Sequence, residues 1–528
     1  MAHRTRYGHA ALSLAAAAIL ALAATGSPAA QPCPHAAALD AAARQQWHRA
    51  QRLARAACCE NTDAGPEELA SLLQTCQLQM RLEQRYRDGS LADWMHKLEH
   101  NQGRDLVECL CSRVASRALQ PPEPASWTAR ALDIFAAAAN NSLVRSQWNL
   151  SDAQAGALCK WLGELAQATP SSPELLLESL EEFAARENLP AGWPGVNLAA
   201  VLAEGLDEYS HLLGPRETDR FYARLGGAYV GIGVDLRFSE AWPRVFDVIE
   251  DSPAAAAGLR PGDLLVAVAD EPLRDLTEAR VAQLLAGPPG QSLCLTLRRP
   301  RQDLTVQLTR RGLTAASVRQ ARLLDSTAGL AAVRIAAFDR DTAMELCRAV
   351  EDLREQGARQ LIIDLRCNGG GMLSSAIDAA RLFVDRGVIV TVESHTTDRA
   401  YHAHDEARFD MPVFLLVDES TASAAEIFAA ALRHHCRARI IGRQTRGKGL
   451  VQTVAPLENT PVALCLTTAR YLDPAGRCLH REGIRPDLAV QAAARTSVAG
   501  WLTNDDPWFR VVLAALASRD ETRLVHAR

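Results

Sequence analysis

Two residues of this sequence could form a nucleophile and its base. Lys448 lies between Gly447 and Gly449, and it is one of only three lysines among 57 basic residues. Arginine keeps its proton in proteins, whereas a desolvated lysine can become a neutral base near pH 7. Ser423 lies 25 residues upstream, directly before an apolar helical run. A serine at a helix start and a lysine in a glycine turn are what a Ser-Lys nucleophilic site requires.

The same residues have structural interpretations. Ser423 and Glu426 also fit an S-x-x-E capping box, and a Gly-Lys-Gly stretch is often an exposed turn. A Ser-His-Asp triad is the rival constellation, and His434 and His435 are its nearest histidines. They lie three turns along the helix from Ser423, about 15 Å away at 1.5 Å per residue, and cannot be its base within this helix.

Length, charge and the amino-terminal segment indicate the compartment and the class of partner. The 528 residues predict several domains, and the net charge of -5 with no long basic run excludes nucleic acid and anionic membrane surfaces as expected partners. Residues 1–30 read as a signal peptide, with Arg4 and Arg6 before the apolar stretch from Ala10 to Ala24 and cleavage near Ala30. We expect an exported, periplasmic protein that is soluble or peripherally associated with the membrane.

Cysteines and histidines do not predict a metal centre. The chain has 13 cysteines, and seven of them lie in its first third. Disulfides there are plausible in an oxidising compartment, but their connectivity cannot be read from the spacing. Cys58-Cys59 and Cys109-Leu-Cys111 differ from the C-x-x-C pairs that bind zinc. The sequence therefore predicts neither a metal nor a cofactor.

Changes in composition divide the chain into segments. An alanine- and leucine-rich region with helical spacing, such as Leu69, Leu72 and Cys76, gives way to short β-like runs and then to alternating strands and helices. The predicted segments are the helical region 31–190, a connecting segment 191–227, a β domain 228–312, an α/β block 313–492 and a helical tail 493–528. The role of the helical region stays open.

The α/β block is predicted in detail from its apolar runs. Buried strands alternate with amphipathic helices, which predicts a largely parallel sheet with stacked helices. The predicted strands are 329–335, 360–365, 413–417 and one that begins at 440, and the predicted helices are 342–355, 374–383 and 424–432.

The β domain resembles a circularly permuted bacterial PDZ domain. The resemblance rests on the S-P-A series from Ser252 to Leu259, on Pro261-Gly262-Asp263, and on glycines at either end of the segment. In such domains a peptide adds as a strand to a sheet edge, and the amides of a glycine loop receive its terminal carboxylate. The resemblance implies that this loop comprises Gly231, Ile232, Gly233 and Val234. A small β-barrel that binds nothing is the alternative.

Residues 195 to 490 resemble the C-terminal processing peptidases, or tail-specific proteases, of the Ser-Lys S41 peptidase family. Besides the PDZ series, the matching stretches are 206–210, 231–233, 364–371, 420–426, 442–452, 467–476 and 483–487. The resemblance implies a crotonase/ClpP-like α/β peptidase core with an inserted, mainly-β PDZ domain, placed here after an N-terminal all-α region.

The resemblance also implies roles for single residues. Ser423 would be the nucleophile, Lys448 the general base and Gln452 the residue that orients the lysine. The backbone amides of Gly370 and Ala424 would form the oxyanion hole, because glycine lets a chain turn tightly with its N–H groups inward.

We therefore expect an exported serine endopeptidase that cleaves proteins near their C-termini and recognises nonpolar tails through its PDZ domain. Arg446, which replaces an aromatic residue of the family pattern, would favour a neutral Lys448 if it lies nearby. An acyl-CoA hydratase of the crotonase fold and a catalytically weak PDZ scaffold or chaperone are the alternative functions. An activator or adaptor protein, and the oligomeric state, are left open.

Overall fold

The description of the fold covers most of the chain. The computed structural model describes residues 34–59, 65–168, 170–225, 229–238, 241–300, 302–313, 316–490, 501–504 and 506–517. The predicted signal peptide at 1–30 lies outside these residues. Within the described ranges, no helix is long and apolar enough to cross a membrane.

The sequence predicts a helical region at 31–190, and in the described residues the helices continue beyond it to residue 204. Its helices are α1 Pro34–Ala43, α2 Trp47–Cys59, α3 Pro66–Tyr86, α4 Ser90–Met95, α5 His100–Arg117, α6 Pro124–Ala139, α7 Ser142–Gln147, α8 Asp152–Ala168, α9 Pro173–Arg186 and α10 Trp193–Glu204. Leu69, Leu72 and Cys76 are buried on one side of α3, which is the face that the helical spacing indicates.

Helix α10 is the centre of this region. Every residue from Trp193 to Glu204 is buried, and Trp193 packs edge-on against Trp148 with a centroid separation of 5.5 Å. The same core includes Leu464 and Leu466, which belong to a strand of the peptidase block. The helical region and the peptidase block therefore share one hydrophobic core, with no break in packing at the predicted boundary after residue 190.

A close crossing of α5 and α10 gives a test of this packing. A Cβ at Gly195 would overlap the carbonyl of Gly103, whereas a Cβ at Gly103 would meet nothing nearer than the Gly195 Cα at 3.4 Å. We expect Gly195→Ala to lower the free energy of unfolding by about 1–3 kcal/mol, because backbone must shift. Gly103→Ala is the matched control and should be neutral or stabilising by up to about 1 kcal/mol. Equal denaturation midpoints for the two variants would contradict the crossing.

The β domain follows one short strand and one helix, β1 His211–Leu213 and α11 Pro215–Leu225. Its elements are β2 Tyr229–Gly231, β3 Val234–Arg237, β4 Arg244–Val248, α12 Pro253–Ala256, β5 Leu264–Val268, β6 Glu271–Pro272, α13 Glu278–Leu285, β7 Ser292–Arg299, β8 Gln302–Thr309 and β9 Arg311–Leu313. An antiparallel sheet runs in the order β3-β4-β5-β7-β8, so that β3 is an edge strand. Strands β2 and β9 pair where the domain joins the rest of the chain.

The α/β block forms two further sheets. Its elements are β10 Val318–Asp325, β11 Leu330–Ile335, α14 Thr342–Glu355, β12 Gln360–Asp364, α15 Leu373–Arg381, β13 Gly387–Ser394, β14 Asp398–Ala403, β15 Val413–Val417, α16 Ala424–His434, β16 Ala438–Gly442, β17 Leu450–Pro456, β18 Ala463–Leu472, β19 Leu488–Ala489 and α17 Pro507–Ala517. One sheet has the order β10-β11-β12-β15-β16-β19, and its neighbours from β11 onward are parallel. The predicted alternation of strands and helices is thus confirmed.

The parallel sheet is buried on both faces. Alternate residues such as Ala331 and Val333 point toward α14, α15 and α16, while Leu330 and Ala332 pack against α17. The second sheet, in which β18 pairs with β1, β13 and β17, extends from the parallel sheet to the helical region. This arrangement leaves the carboxyl ends of β12, β15 and β16 side by side, which is where ligands bind in open α/β sheets.

Candidate active site

Three loops leave adjacent strands at this edge and carry the predicted residues. The loop after β12 holds Gly370, the loop after β15 ends at Ser423, and the loop after β16 leads to Lys448. Backbone hydrogen bonds join the loops, since Ala422 N–H donates to the Asn368 carbonyl and Arg446 N–H donates to the Thr421 carbonyl, both at 3.0 Å. Parallel pairing of the three strands therefore brings distant parts of the sequence together.

Ser423 is held in a conformation that is rare for a residue with a side chain. Its φ is 58° and its ψ is -121°, at the sharp turn between the loop and helix α16. Such conformations persist only where the surroundings impose them, and they occur frequently at functional sites. The neighbouring Gly370 fits closely against this turn, because a Cβ there would lie 2.8 Å from the Ser423 Cβ.

A buried carboxylate connects the serine turn with the lysine turn. Glu426 is fully buried in the first turn of α16. Its Oε2 accepts hydrogen bonds from Ser423 N–H at 2.8 Å and from Lys448 N–H at 2.9 Å. Its Oε1 accepts from Gly447 N–H at 2.7 Å and from the Thr445 hydroxyl. Glu426, the acidic residue of the predicted capping box, thus fixes the Lys448 turn beside the Ser423 turn.

The environment of Lys448 favours its neutral form. Burial lowers the pKa of the Lys448 ammonium below its ordinary value, and the nearby positive charge of Arg446 acts in the same direction, while Cys465 opposes it. A lysine with a lowered pKa is neutral, and able to accept a proton, at a lower pH than an exposed lysine. Its Nζ lies 5.3 Å from the centroid of the Tyr209 ring.

Gln452 and Lys448 line one cavity, together with Tyr209. The Gln452 Nε2 donates to the Thr467 hydroxyl at 3.5 Å, and that hydroxyl donates to Asp207 at 3.1 Å. These two hydrogen bonds hold the side-chain amide of Gln452 through its nitrogen and leave its oxygen free to accept from another donor. In the described part of the chain, no hydrogen bond joins the side chains of Ser423, Lys448 and Gln452 to one another.

The two predicted oxyanion amides differ in availability. Gly370 and Ala424 are neighbours, with the Ala424 nitrogen 2.9 Å from a Cβ built on Gly370. The Ala424 N–H donates to no acceptor among the described residues. The Gly370 N–H, however, donates to the Asn368 side chain at 2.8 Å. An oxyanion hole that uses Gly370 therefore requires this hydrogen bond to be shared or exchanged.

The predicted carboxylate loop of the β domain presents free amides. Ile249 N–H donates to the Gly233 carbonyl and Ala254 N–H donates to the Ile232 carbonyl, which fixes the loop from one side. The N–H groups of Ile232 and Gly233 have no acceptor among the described residues. Gly233 has a φ of 84°, and a Cβ there would overlap the side chain of Ser252, so the turn requires glycine.

Salt bridges hold the β domain on the α/β block. Arg334 on β11 is 1 % exposed and pairs with Asp235 at 2.9 Å and with Asp247. Arg237 on β3 pairs with Asp418 at 3.0 Å. Both Asp235 and Arg237 belong to the edge strand on which a peptide would add.

His435, one of the two rival bases, lies away from the site, where its Nε2 contacts the Val388 carbonyl at 2.8 Å. The 11 cysteines whose side chains the structure describes are free thiols, including Cys58, Cys109 and Cys111 in the region where the sequence leaves disulfides open.

Comparison with known proteins identifies two parts of the chain. Residues 329–490 match peptidase family S41, and residues 244–299 match the PDZ domain. This chain carries an S41 peptidase domain with a PDZ domain. The S41 match includes all three loops and both Ser423 and Lys448.

The named relatives agree with this assignment. Proteins named "Probable CtpA-like serine protease" from Staphylococcus epidermidis and Staphylococcus haemolyticus are each 30% identical, over 294 and 304 residues, or 55% and 57% of this chain. The chain spans about three fifths of their length, 59% and 60%. The solved structure titled photosystem II D1 C-terminal processing protease is 29% identical, with a TM-score of 0.44, and the alignment covers 59% of this chain and 86% of that one.

The S41 domain contains residues whose roles the sequence did not reveal. Glu426 was anticipated only as a capping residue, although an acid within the apolar run from Ala424 to Leu432 is a signal for a buried partner. Asp418 is also fully buried, and its Oδ1 accepts N–H groups from Cys367 at 3.1 Å and from Ser420 at 3.0 Å.

The hydrogen bonds of Glu426 predict that its charge is needed for stability. Glu426→Gln replaces one acceptor oxygen by a donor that faces N–H groups, and each buried group left unpaired costs about 1–3 kcal/mol. We expect a clear drop in the urea midpoint. Glu482→Gln, an exposed glutamate close to the same turn, is the control and should leave the midpoint unchanged. An unchanged midpoint for Glu426→Gln would show that the four hydrogen bonds contribute little.

Proposed function

We propose that this chain is an exported serine endopeptidase that cleaves proteins near their C-termini, with Ser423 as nucleophile, Lys448 as base and the PDZ domain as the receptor for nonpolar substrate tails. The observation that carries the proposal is the Glu426 carboxylate, which holds the Ser423 turn and the Lys448 turn in one hydrogen-bonded unit. The match of residues 329–490 to peptidase family S41 supports it.

In this proposal the reaction proceeds through an acyl-enzyme. The Ser423 Oγ attacks the carbonyl carbon of the scissile bond while its proton passes to the neutral Nζ of Lys448. The oxyanion accepts hydrogen bonds from the Ala424 N–H and, after it leaves Asn368, from the Gly370 N–H. The C–N bond then breaks as Lys448 returns the proton to the leaving amine. Water, deprotonated by Lys448, hydrolyses the ester and regenerates Ser423.

A tail-binding scaffold or chaperone without efficient catalysis is the second candidate. Two observations favour it: no hydrogen bond joins the Ser423 and Lys448 side chains among the described residues, and the Asn368 side chain occupies the Gly370 N–H. Digestion of an exported protein with and without a nonpolar C-terminal tail, followed by mass spectrometry, separates the two functions. A peptidase yields defined fragments, whereas a scaffold binds the tailed protein and leaves it intact.

Substitutions at the dyad should abolish cleavage without unfolding the protein. Ser423→Ala and Lys448→Ala remove the nucleophile and the base, and Lys448→Arg should be equally inactive because guanidinium stays protonated. The expected loss for the base is on the order of 10²–10⁴ in kcat/KM. Ser420→Ala and Lys160→Arg are the matched controls. More than about a tenth of wild-type activity in Lys448→Arg would remove Lys448 as the base.

The same base sets the pH dependence. At low pH Lys448 is an ammonium ion that cannot accept a proton, so kcat/KM should rise with pH through the lowered pKa of Lys448. Arg446→Gln removes one cause of that lowering and should move the rise to higher pH. His480 is the nearby alternative, because its ring centroid lies 6.1 Å from that of Tyr209. A rise that stays in place in Arg446→Gln, and that disappears in His480→Gln, would assign the titration to the histidine.

Recognition of the tail should depend on its carboxylate. The free amides of Ile232 and Gly233 would donate charge-assisted hydrogen bonds to it, so amidation of a substrate's C-terminus should weaken binding by roughly 1.5–3 kcal/mol. Titration calorimetry with the Ser423→Ala protein measures this without cleavage. Equal affinities for the free acid and the amide would exclude carboxylate recognition by the loop.

A further inference from the structure

The amino-terminal helices and the PDZ domain enclose a cavity of about 720 Å³. Helices α2 and α3 form one wall, through residues such as Gln51 and Gln77. The opposite wall contains Phe238, directly after β3, and Thr277 and Gln283 at helix α13. The salt bridge between Arg52 and Asp275, 2.8 Å long, joins the two walls.

This cavity continues to the candidate base. A second cavity of about 460 Å³ contains Lys448 and Gln452, and its floor is apolar. The two cavities share four lining residues, Arg81, Gln84, Glu208 and Tyr209. The two cavities are therefore neighbours, both are lined by residues of helix α3, and together they are called the passage from the PDZ domain to Lys448.

The direction of a PDZ-bound chain points into this passage. Strand β3 is an edge strand, so a tail can pair with its free side. A tail whose carboxylate meets the loop before Val234 and that pairs antiparallel to β3 leaves the groove beside Phe238. Phe238 lines the first cavity. The residues upstream of the tail would then enter between the PDZ domain and helices α2 and α3.

The walls offer unpaired amide side chains. Gln51, Gln77, Gln84 and Gln283 line the first cavity, and none of their side-chain amides has a hydrogen-bond partner among the described residues. An amide group both donates and accepts, so it can pair with a peptide backbone whatever the side chains of that peptide are. Four such groups along one passage suit an extended chain of variable sequence.

Most of the arginines that line the first cavity form ion pairs. Arg81 pairs with Glu204, Arg87 with Glu83, Arg280 with Glu271 and Arg52 with Asp275. Burial, reinforced by Arg87 and Arg280, lowers the pKa of His48 to about 4, so the imidazole is neutral at ordinary pH. Arg55 and Glu278, which also line the first cavity, carry opposite charges, so this cavity does not present charge of a single sign.

We propose that helices α2 and α3 are a substrate-guiding wall, which binds the backbone of the segment between the tail and the scissile bond through their glutamine side chains. The proposal assigns a role to the helical region, which lies outside the S41 and PDZ matches. It rests on the proposed peptidase function, since it presupposes a substrate that reaches Lys448 from the PDZ domain.

Site-specific photocrosslinking tests the wall directly. A benzophenone amino acid is placed at Gln77 in the Ser423→Ala protein, which is mixed with an intact protein that ends in a nonpolar tail. We expect crosslinks to the segment immediately upstream of the tail. The same probe at Gln74, an exposed position on helix α3 outside the cavity, is the control and should give none.

Kinetics with an unlabelled variant give a second measurement. Gln84→Trp fills the point where the two cavities meet and should reduce kcat/KM for the tailed protein by roughly 10²-fold, because the scissile bond is misplaced. Gln74→Trp should leave it unchanged.

The outcomes separate this proposal from the proposed function. Tail binding with no crosslink from Gln77, or normal cleavage by Gln84→Trp, would overturn the guiding wall and leave the peptidase intact. A protein with native Ser423 that cleaves no tailed substrate would instead overturn the peptidase function, whatever the crosslinks show.

Discussion

The burial of one carboxylate, that of Glu426, sets the geometry of the whole site. A buried carboxylate is costly unless its oxygens accept several hydrogen bonds. Here the donors come from two separate segments of the candidate site. Ser423 belongs to the first segment, and the second contributes Thr445, Gly447 and Lys448. Satisfying the charge therefore requires the two turns to meet. The helix start also contributes, because its dipole favours a negative group in the first turn.

A second buried carboxylate links the candidate catalytic loops to the PDZ domain. Asp418 accepts backbone N–H groups from the loops after β12 and β15, and its other oxygen pairs with Arg237 of β3. The strand that would receive a substrate tail thus shares an ion pair with the loops that would bind the oxyanion. Removal of one partner from a buried pair costs about 3–5 kcal/mol, so the loops and the PDZ strand are energetically coupled.

Residues after the S41 match complete the support of these loops. Arg366 is 1 % exposed and lies between Asp364 and Asp506. Trp508 of helix α17 faces the guanidinium groups of Arg366 and Arg237, at 5.2 and 5.6 Å from its ring centroid. Residues far apart in the chain thereby meet behind the site. Ion pairs and cation–π contacts connect the candidate catalytic loops, strand β3 of the PDZ domain and helix α17.

Local patterns were enough to predict the parallel sheet and the Ser423 and Lys448 turns. The run of apolar residues predicts strands such as 413–417. Gly447 and Gly449 mark the Lys448 turn, and Ser423 directly precedes a predicted helix. The partners of the buried acids could not be predicted in this way, because Glu426 is satisfied by residues about twenty positions away in the chain. The cavity beside helix α3 could not be predicted for a similar reason, because several separate segments of the chain line it.

In this structure the Lys448 side chain contacts Tyr209 and forms no hydrogen bond with Ser423 among the described residues. Its ammonium faces the Tyr209 ring at 5.3 Å, a cation–π contact that favours the charged form by about 0.5–2 kcal/mol. Burial and Arg446 oppose that charge. Glu426 already holds the backbone of the two turns together. A hydrogen bond from Lys448 to Ser423 would therefore compete with the contact to Tyr209, which is weak beside the hydrogen bonds that hold the turns.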